Sequence, residues 1–194
     1  MAKYALITGA SSGIGRATAF ALAKKGYDLV IASRNLEKLE AVKKEVEAAE
    51  HVAVTPIVLD VTDTAAIHQT TEVVLEKFGA PDVLVNDAGL ARGLEPYAET
   101  EEEDILEMID TNIKGLFLVT HDFLPAMVQR NSGHIVNLGS TAGLYAYAGA
   151  AVYCASKAAV KTFSSASERS RSSRTASSTS KKIAARRSTS KRFL

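Results

Sequence analysis

Short continuous apolar runs alternate along this chain with longer stretches in which apolar residues recur every three or four positions. Tyr4-Ala5-Leu6-Ile7 is the first such run and predicts a buried strand. From Ile14 to Ala23 the apolar positions repeat at helical spacing. Asp28 to Ala32 predicts a second strand, followed by a charged helix that turns Leu36, Leu39, Val42 and Val46 inward. A third strand is expected from Val52 to Leu59, ending at Asp60, with Asp63 or Thr64 capping a helix that runs to about Phe78. Asp82 to Val85 is a fourth strand, stopped by Asn86-Asp87-Ala88-Gly89. Thr100, with Glu103 three residues on, makes a capping box for one long helix from about Glu101 to Arg130. His134 to Leu138 is the fifth strand, and Ala150 to about Ser165 the helix after it.

Strands that alternate with helices, each strand a continuous apolar run, predict a parallel sheet covered on both faces. The expected class is α/β, a doubly wound Rossmann-type parallel sheet that stops after the fifth strand and its following helix. Ligands of such sheets bind beyond the carboxyl ends of the strands at the switch point, here between strands one and four. That places candidate chemistry at Thr8–Gly15, Ser33–Arg34, Asp60–Val61, Asn86–Gly89 and Gly139–Ser140.

Thr8-Gly9-Ala10-Ser11-Ser12-Gly13-Ile14-Gly15 joins the first strand to the first helix. Glycine admits positive φ and close approach of a ligand, and a helix start offers unpaired N–H groups at a positive dipole end. The turn is therefore a candidate anion site, most naturally for a pyrophosphate, with Gly9, Ser11, Ser12, Gly13, Ile14 and Gly15 as contacts. Its Gly-x-x-x-Gly-x-Gly spacing departs from the commonest dinucleotide fingerprint, and a plain glycine-rich turn is the alternative. After the second strand, where an NAD site places an acid against the ribose, this chain has Ser33-Arg34. An arginine fork there suits a 2′-phosphate and points to NADP, against the alternative of a solvated loop arginine.

Tyr153 and Lys157 stand four apart on the last helix and so share a face. A phenol is a poor base near neutrality, and a neighbouring ammonium favours its phenolate. Ser140, at the end of the fifth strand, is placed to hold a substrate oxygen.

Together, Thr8-Gly9-x-x-x-Gly13-x-Gly15, Asn86-Asp87-Ala88-Gly89, Asn112, Ser140 and Tyr153-x-x-x-Lys157 resemble the short-chain dehydrogenase/reductase family over roughly residues 1–163. The resemblance implies Tyr153 as acid and base, with Lys157 holding the nicotinamide ribose and depressing the tyrosine pKa. Ser140 orients the reacting oxygen, and Asn112 anchors a water relay to Lys157. It further implies Asn86, Ala88 and Gly89 along the cofactor, Asp60-Val61 at the adenine, hydride transfer to or from a small-molecule carbonyl substrate, and a homo-oligomer, tetramer or dimer, in the full-length form. Asn86 to Ala91, Gly93, Glu95-Pro96, Met108 to Asn112 and Gly139 to Gly143 resemble the NADP-dependent 3-hydroxy acid dehydrogenases acting on serine and L-allo-threonine. Asp87 departs from the family, which usually has a second Asn there.

Composition divides the chain in two. Between Ser164 and Leu194 nine Lys or Arg stand against one acid, Glu168, so this stretch carries +8 and residues 1–163 carry −7 within a total of +1. Residues 1–163 are expected to form the NADP-binding domain and residues 164–194 a basic, Ser/Arg-rich tail, disordered or out of frame. A reading-frame shift explains the abrupt change. One legal codon spelling of Ser164 to Ser170, regrouped by one base, reads Glu-Arg-Leu-Arg-Ala-Glu, like the amphipathic helix the family continues with. Two rival readings remain, a non-catalytic dinucleotide-binding remnant and, last in order, a basic arm for nucleic acid. A single cysteine, Cys154, excludes an internal disulfide framework and fits a cytoplasmic location. The scattered histidines argue against a metal site, and no apolar run is long enough to span a membrane.

Overall fold

The computed structural model describes residues 3–93 and 95–167. Contacts divide the chain after Val160. In the first unit β1 (Tyr4–Thr8), β2 (Asp28–Ser33), β3 (Val54–Val58), β4 (Val83–Asn86) and β5 (His134–Asn137) form one parallel sheet in the order β3-β2-β1-β4-β5. The helices are α1 (Gly13–Ala23), α2 (Leu36–Ala49), α3 (Thr64–Phe78), α4 (Glu102–Ile109), α5 (Leu116–Gln129) and α6, residues 151–160. The described part of the second unit, residues 161–167, is also helical, with Ser165 and Ser167 donating to the carbonyls of Lys161 and Phe163. The rest of the expected 164–194 tail lies outside the described residues.

Successive strand residues point to opposite faces, so the apolar runs build two cores. Leu6, Val30 and Leu84 pack against Ile67 and Val74 of α3 and Val119, Phe123 and Met127 of α5. On the other face Ile7, Leu29, Ile31 and Val85 meet Ala19 of α1 and Leu39, Val42 and Val46 of α2. Each of the larger side chains, fully removed from water, is worth about 1.5–3 kcal/mol. Leu36 departs from the expected stripe. It is the first residue of α2 and stays exposed. At β5 the cover is incomplete among the described residues, and Val136 remains 37% exposed.

Local signals account for the helix starts. Asn35 accepts from the Lys38 N–H and Asp63 from the Ala66 N–H, each a cap worth about 1 kcal/mol. The expected helix from Glu101 to Arg130 is present as one contiguous helical run, Glu102 to Gln129, with two corrections. Thr100 does not cap it: its N–H closes a 3-10 turn on the Tyr97 carbonyl, and Glu101 holds the N-cap position of α4. A π-helical turn, Asp110–Gly115, then separates α4 from α5 and buries Thr111, Asn112 and Gly115. Wide turns of this kind concentrate at functional sites, and this one carries Asn112.

Candidate active site

The carboxyl ends of β1 and β4 lie side by side, Thr8 beside Asn86, and the turns that follow them interlock. Gly9 has φ 72°, and a Cβ there would stand 2.7 Å from the Ala88 nitrogen. A Cβ on Gly15 would stand 2.5 Å from the Gly9 carbonyl oxygen and 2.6 Å from Asp87 Oδ2. No side chain fits either position, so the α1 N-terminus is drawn hard against the Asp87-Ala88 peptide. Ser12 is extended at the N-cap and its side chain caps no N–H. Ser12, Gly13 and Ile14 are exposed at the mouth of the turn, with Ser11 half-buried beside them.

Asn86, by contrast, faces inward. Its Nδ2 donates to Thr120 Oγ1 and Asn137 Oδ1, both at 2.9 Å, tying β4 to α5 and β5, and its buried Oδ1 has no hydrogen-bond partner. Ala88 N–H donates to Thr8 Oγ1 at 3.3 Å, and Gly89 is exposed. Asp87 accepts a hydrogen bond from the Gly15 N–H. Burial pushes its carboxyl above the ordinary value of 3.8, and that hydrogen bond and the Lys157 ammonium pull it back.

Lys157 is 7% exposed, and its Nζ donates to the Leu138 carbonyl at 2.9 Å and lies 5.9 Å from the Tyr153 ring centre. Burial lowers its pKa below 10.5, with Asp87 opposing the shift. Asn112 is wholly engaged. Its Oδ1 accepts from Leu90 N–H at 2.8 Å, while its Nδ2 donates to the Leu90 carbonyl at 2.8 Å and to Ser156 Oγ at 3.0 Å. Ser156 Oγ in turn donates to the Tyr153 carbonyl at 2.8 Å. Gly89 lies between the two polar groups, since a Cβ there would stand 3.1 Å from Asn112 Oδ1 and 3.4 Å from Lys157 Nζ. Ser140 Oγ accepts from the Ala142 N–H at 3.1 Å at the start of the turn after β5.

At the far end of the sheet edge, Ser33 accepts from the Asn35 N–H and Arg34 extends into solvent. Arg34 Nη1 stands 3.9 Å from Glu107 Oε1 of α4, a carboxylate that Arg92 also grips, at 2.7 Å and 3.3 Å. The Arg92 hydrogen bond holds the Glu107 carboxyl below its ordinary range. Asp60 Oδ1 accepts from the N–H and hydroxyl of Thr62, and the Val61 side chain belongs to the core.

The structure thus gathers Gly9, Gly15, Ala88, Gly89, Asn112, Tyr153 and Lys157 around one switch point. Ser33, Arg34 and Asp60 stand at a second position along the same edge. Residue spacing missed Ser156, Arg92 and Glu107. Ser156, three positions after Tyr153, is legible as a same-face neighbour, whereas nothing local marks Arg92 and Glu107 as partners. Among the described residues no cluster of His, Cys, Asp or Glu is arranged to hold a metal, and no helix is long and apolar enough to cross a membrane.

A five-stranded parallel sheet of this order, with a glycine turn after its first strand and a buried lysine at the switch point, defines a doubly wound nucleotide-binding architecture. The chain belongs to the short-chain dehydrogenase family, whose model matches residues 3–175. It is 42% identical over 156 residues to an NADP-dependent 3-hydroxy acid dehydrogenase of Schizosaccharomyces pombe, covering 80% of this chain and 60% of that protein. It is 45% identical over 152 residues to the NADP-dependent 3-hydroxy acid dehydrogenase YdfG of Salmonella typhi, covering 78% and 60%. A crystal structure of serine dehydrogenase from Escherichia coli superposes with a TM-score of 0.77 at 41% identity, covering 82% of this chain and 72% of that one. The chain therefore spans about 60% of the length of these curated relatives.

Proposed function

We propose that this chain is the cofactor-binding and acid–base portion of an NADP-dependent oxidoreductase acting on a small 3-hydroxy acid, of the serine or L-allo-threonine type, or on its carbonyl counterpart. The observation that carries the reading is Lys157, buried against the Leu138 carbonyl below the Tyr153 ring and beside the Asn112 side chain. The names of the relatives support NADP as the cofactor.

The residues present fit a dinucleotide. The interlocked turns at Gly9 and Gly15 leave the first residues of α1, which the Ser12 side chain does not cap, exposed to an anion, which suits a pyrophosphate. Arg34 and Arg92 together bring two guanidinium forks to one carboxylate and so leave one positive charge in excess, which suits a 2′-phosphate. When bound, the nicotinamide supplies or accepts the hydride. Tyr153 Oη gives a proton to, or takes one from, the substrate oxygen, and Ser140 Oγ orients that oxygen by a hydrogen bond. Lys157 holds a positive charge beside the tyrosine and offers further N–H donors to the cofactor ribose. Asn112 acts through structure. By pinning the Leu90 backbone and Ser156 it fixes the α6 turn that carries Tyr153 and the peptide beside Gly89.

Exposed Leu106, Ile109 and Val128 on α4 and α5 suit a homo-oligomeric contact through these helices. The deciding experiment follows NADPH formation with serine, L-allo-threonine and 3-hydroxy acids in the native chain and in Tyr153→Phe. Turnover that survives the substitution undiminished removes the acid–base role. Dinucleotide binding with no turnover in the native chain favours the non-catalytic reading, consistent with its spanning only 60% of its relatives.

A further inference from the structure

Asp87 is charged, half-buried and unused by the chemistry proposed above. Its neighbours fix it in place. Asn86 is tied to Thr120 and Asn137, and the Ala88 N–H to Thr8. The backbone on either side of the carboxylate is therefore held, and the carboxylate faces the glycine turn. Oδ2 lies 2.6 Å from where a Gly15 Cβ would be, and the carboxylate accepts the Gly15 N–H in the first turn of α1. That N–H belongs to the set of helix-start donors that makes such a turn attractive to an anion.

We propose that Asp87 is an internal anion of the cofactor cradle, a positioning residue that binds the glycine turn to the Lys157 side of the site and weakens the cradle for a phosphate-bearing ligand whenever it is ionised. The inference rests on the reading of the glycine turn as a pyrophosphate site. Two anions drawn to one helix start repel each other, and the half-buried setting screens them less than water does. An amide at this position would still accept the Gly15 N–H while carrying no charge, so the charge and the hydrogen bond can be tested separately.

The groups acting on Asp87 come from each element packed against it. α1 contributes the Gly15 N–H and α6 the Lys157 ammonium, and the β1–α1 turn, Gly9 to Ser12, has no titratable side chain. Burial already raises the carboxyl above 3.8. A bound pyrophosphate raises it further, so binding takes up a proton, and affinity grows as the pH falls through that window.

The test is calorimetric titration of NADP+ into the native chain and Asp87→Asn at fixed ionic strength, from neutral to mildly acidic pH, with adenosine as a phosphate-free probe. Asp87→Asn is expected to bind NADP+ roughly tenfold more tightly at neutral pH, the size of one screened charge contact. The pH dependence of its affinity should be only that of the NADP+ 2′-phosphate, whose second pKa is about 6, and the native chain should converge on it under acid. Adenosine should bind both alike. Repeating both titrations in buffers of different ionisation enthalpy should show more proton uptake by the native chain than by Asp87→Asn. Equal NADP+ affinities and pH slopes in the two proteins, equal proton uptake by both, or an equal gain for adenosine overturns the inference. If the native chain and the variant both fail to bind NADP+, the pyrophosphate reading itself falls and takes this inference with it.

Discussion

Lys157 Nζ and the Leu138 carbonyl oxygen are 2.9 Å apart, so a side-chain ammonium from α6 is anchored on the residue that follows β5. Burial lowers the Lys157 pKa below 10.5, which means the folded state releases this proton more readily than the unfolded chain. Between the lowered value and 10.5 the unfolded state binds more protons, so the stability this group contributes rises with pH through that window. Thermal unfolding of the native chain and Lys157→Met, compared across the alkaline range, should show the native chain gaining relative to the variant. A constant difference would mean that Lys157 is not desolvated.

Gly15 and Gly13 should separate packing from backbone conformation. A Cβ at Gly15 meets the Gly9 carbonyl at 2.5 Å, so Gly15→Ala is expected to cost about 1–3 kcal/mol, as overpacking does, and to abolish dinucleotide binding. At Gly13 nothing lies within 4 Å and only φ 54° objects, so Gly13→Ala should cost about 1 kcal/mol. Denaturant melts and cofactor titrations of both variants check the order.

Asn112→Ala leaves the Leu90 N–H, the Leu90 carbonyl and Ser156 Oγ without their shared partner. The expected loss is about 1–3 kcal/mol, that of a buried polar group left unpaired. Ser156→Ala breaks one end of the chain only and should cost less. Urea unfolding of the two single variants and the double variant measures the coupling.

Glu107 restrains both Arg34 and Arg92. Arg34→Ala is expected to lose roughly 10–100-fold in NADP+ affinity, the worth of a charge-assisted contact, with NAD+ affinity unchanged. Glu107→Gln should move the ratio the other way. A parallel loss for both dinucleotides in Arg34→Ala would remove Arg34 from the 2′-phosphate site.

The basic stretch 164–194 is tested in the gene. If a neighbouring frame restores an apolar strand and a Pro-Gly turn after codon 163, the proposed frame shift stands; three closed or polar frames dismiss it.

The sheet was legible because each strand is a local apolar run and each connection carries its own turn chemistry. Gly9, Asp63 and the Tyr153–Lys157 pair are all recognisable within a few residues of sequence. The π turn within the long helix was not, because such a turn has no strong pattern of its own. Leu36 has the right residue type for the core and the wrong place in its helix. What the amino-acid order determined alone is the alternation of strand and helix, and hence a parallel sheet with its chemistry at one edge. Only the tertiary structure decided which side chains share that edge. The contacts of Asp87 with Gly15, of Asn112 with Leu90 and Ser156, and of Glu107 with Arg34 and Arg92 join residues that are mostly distant in sequence. Their partners are set by how strands order and helices dock, and nothing in the local sequence encodes that order.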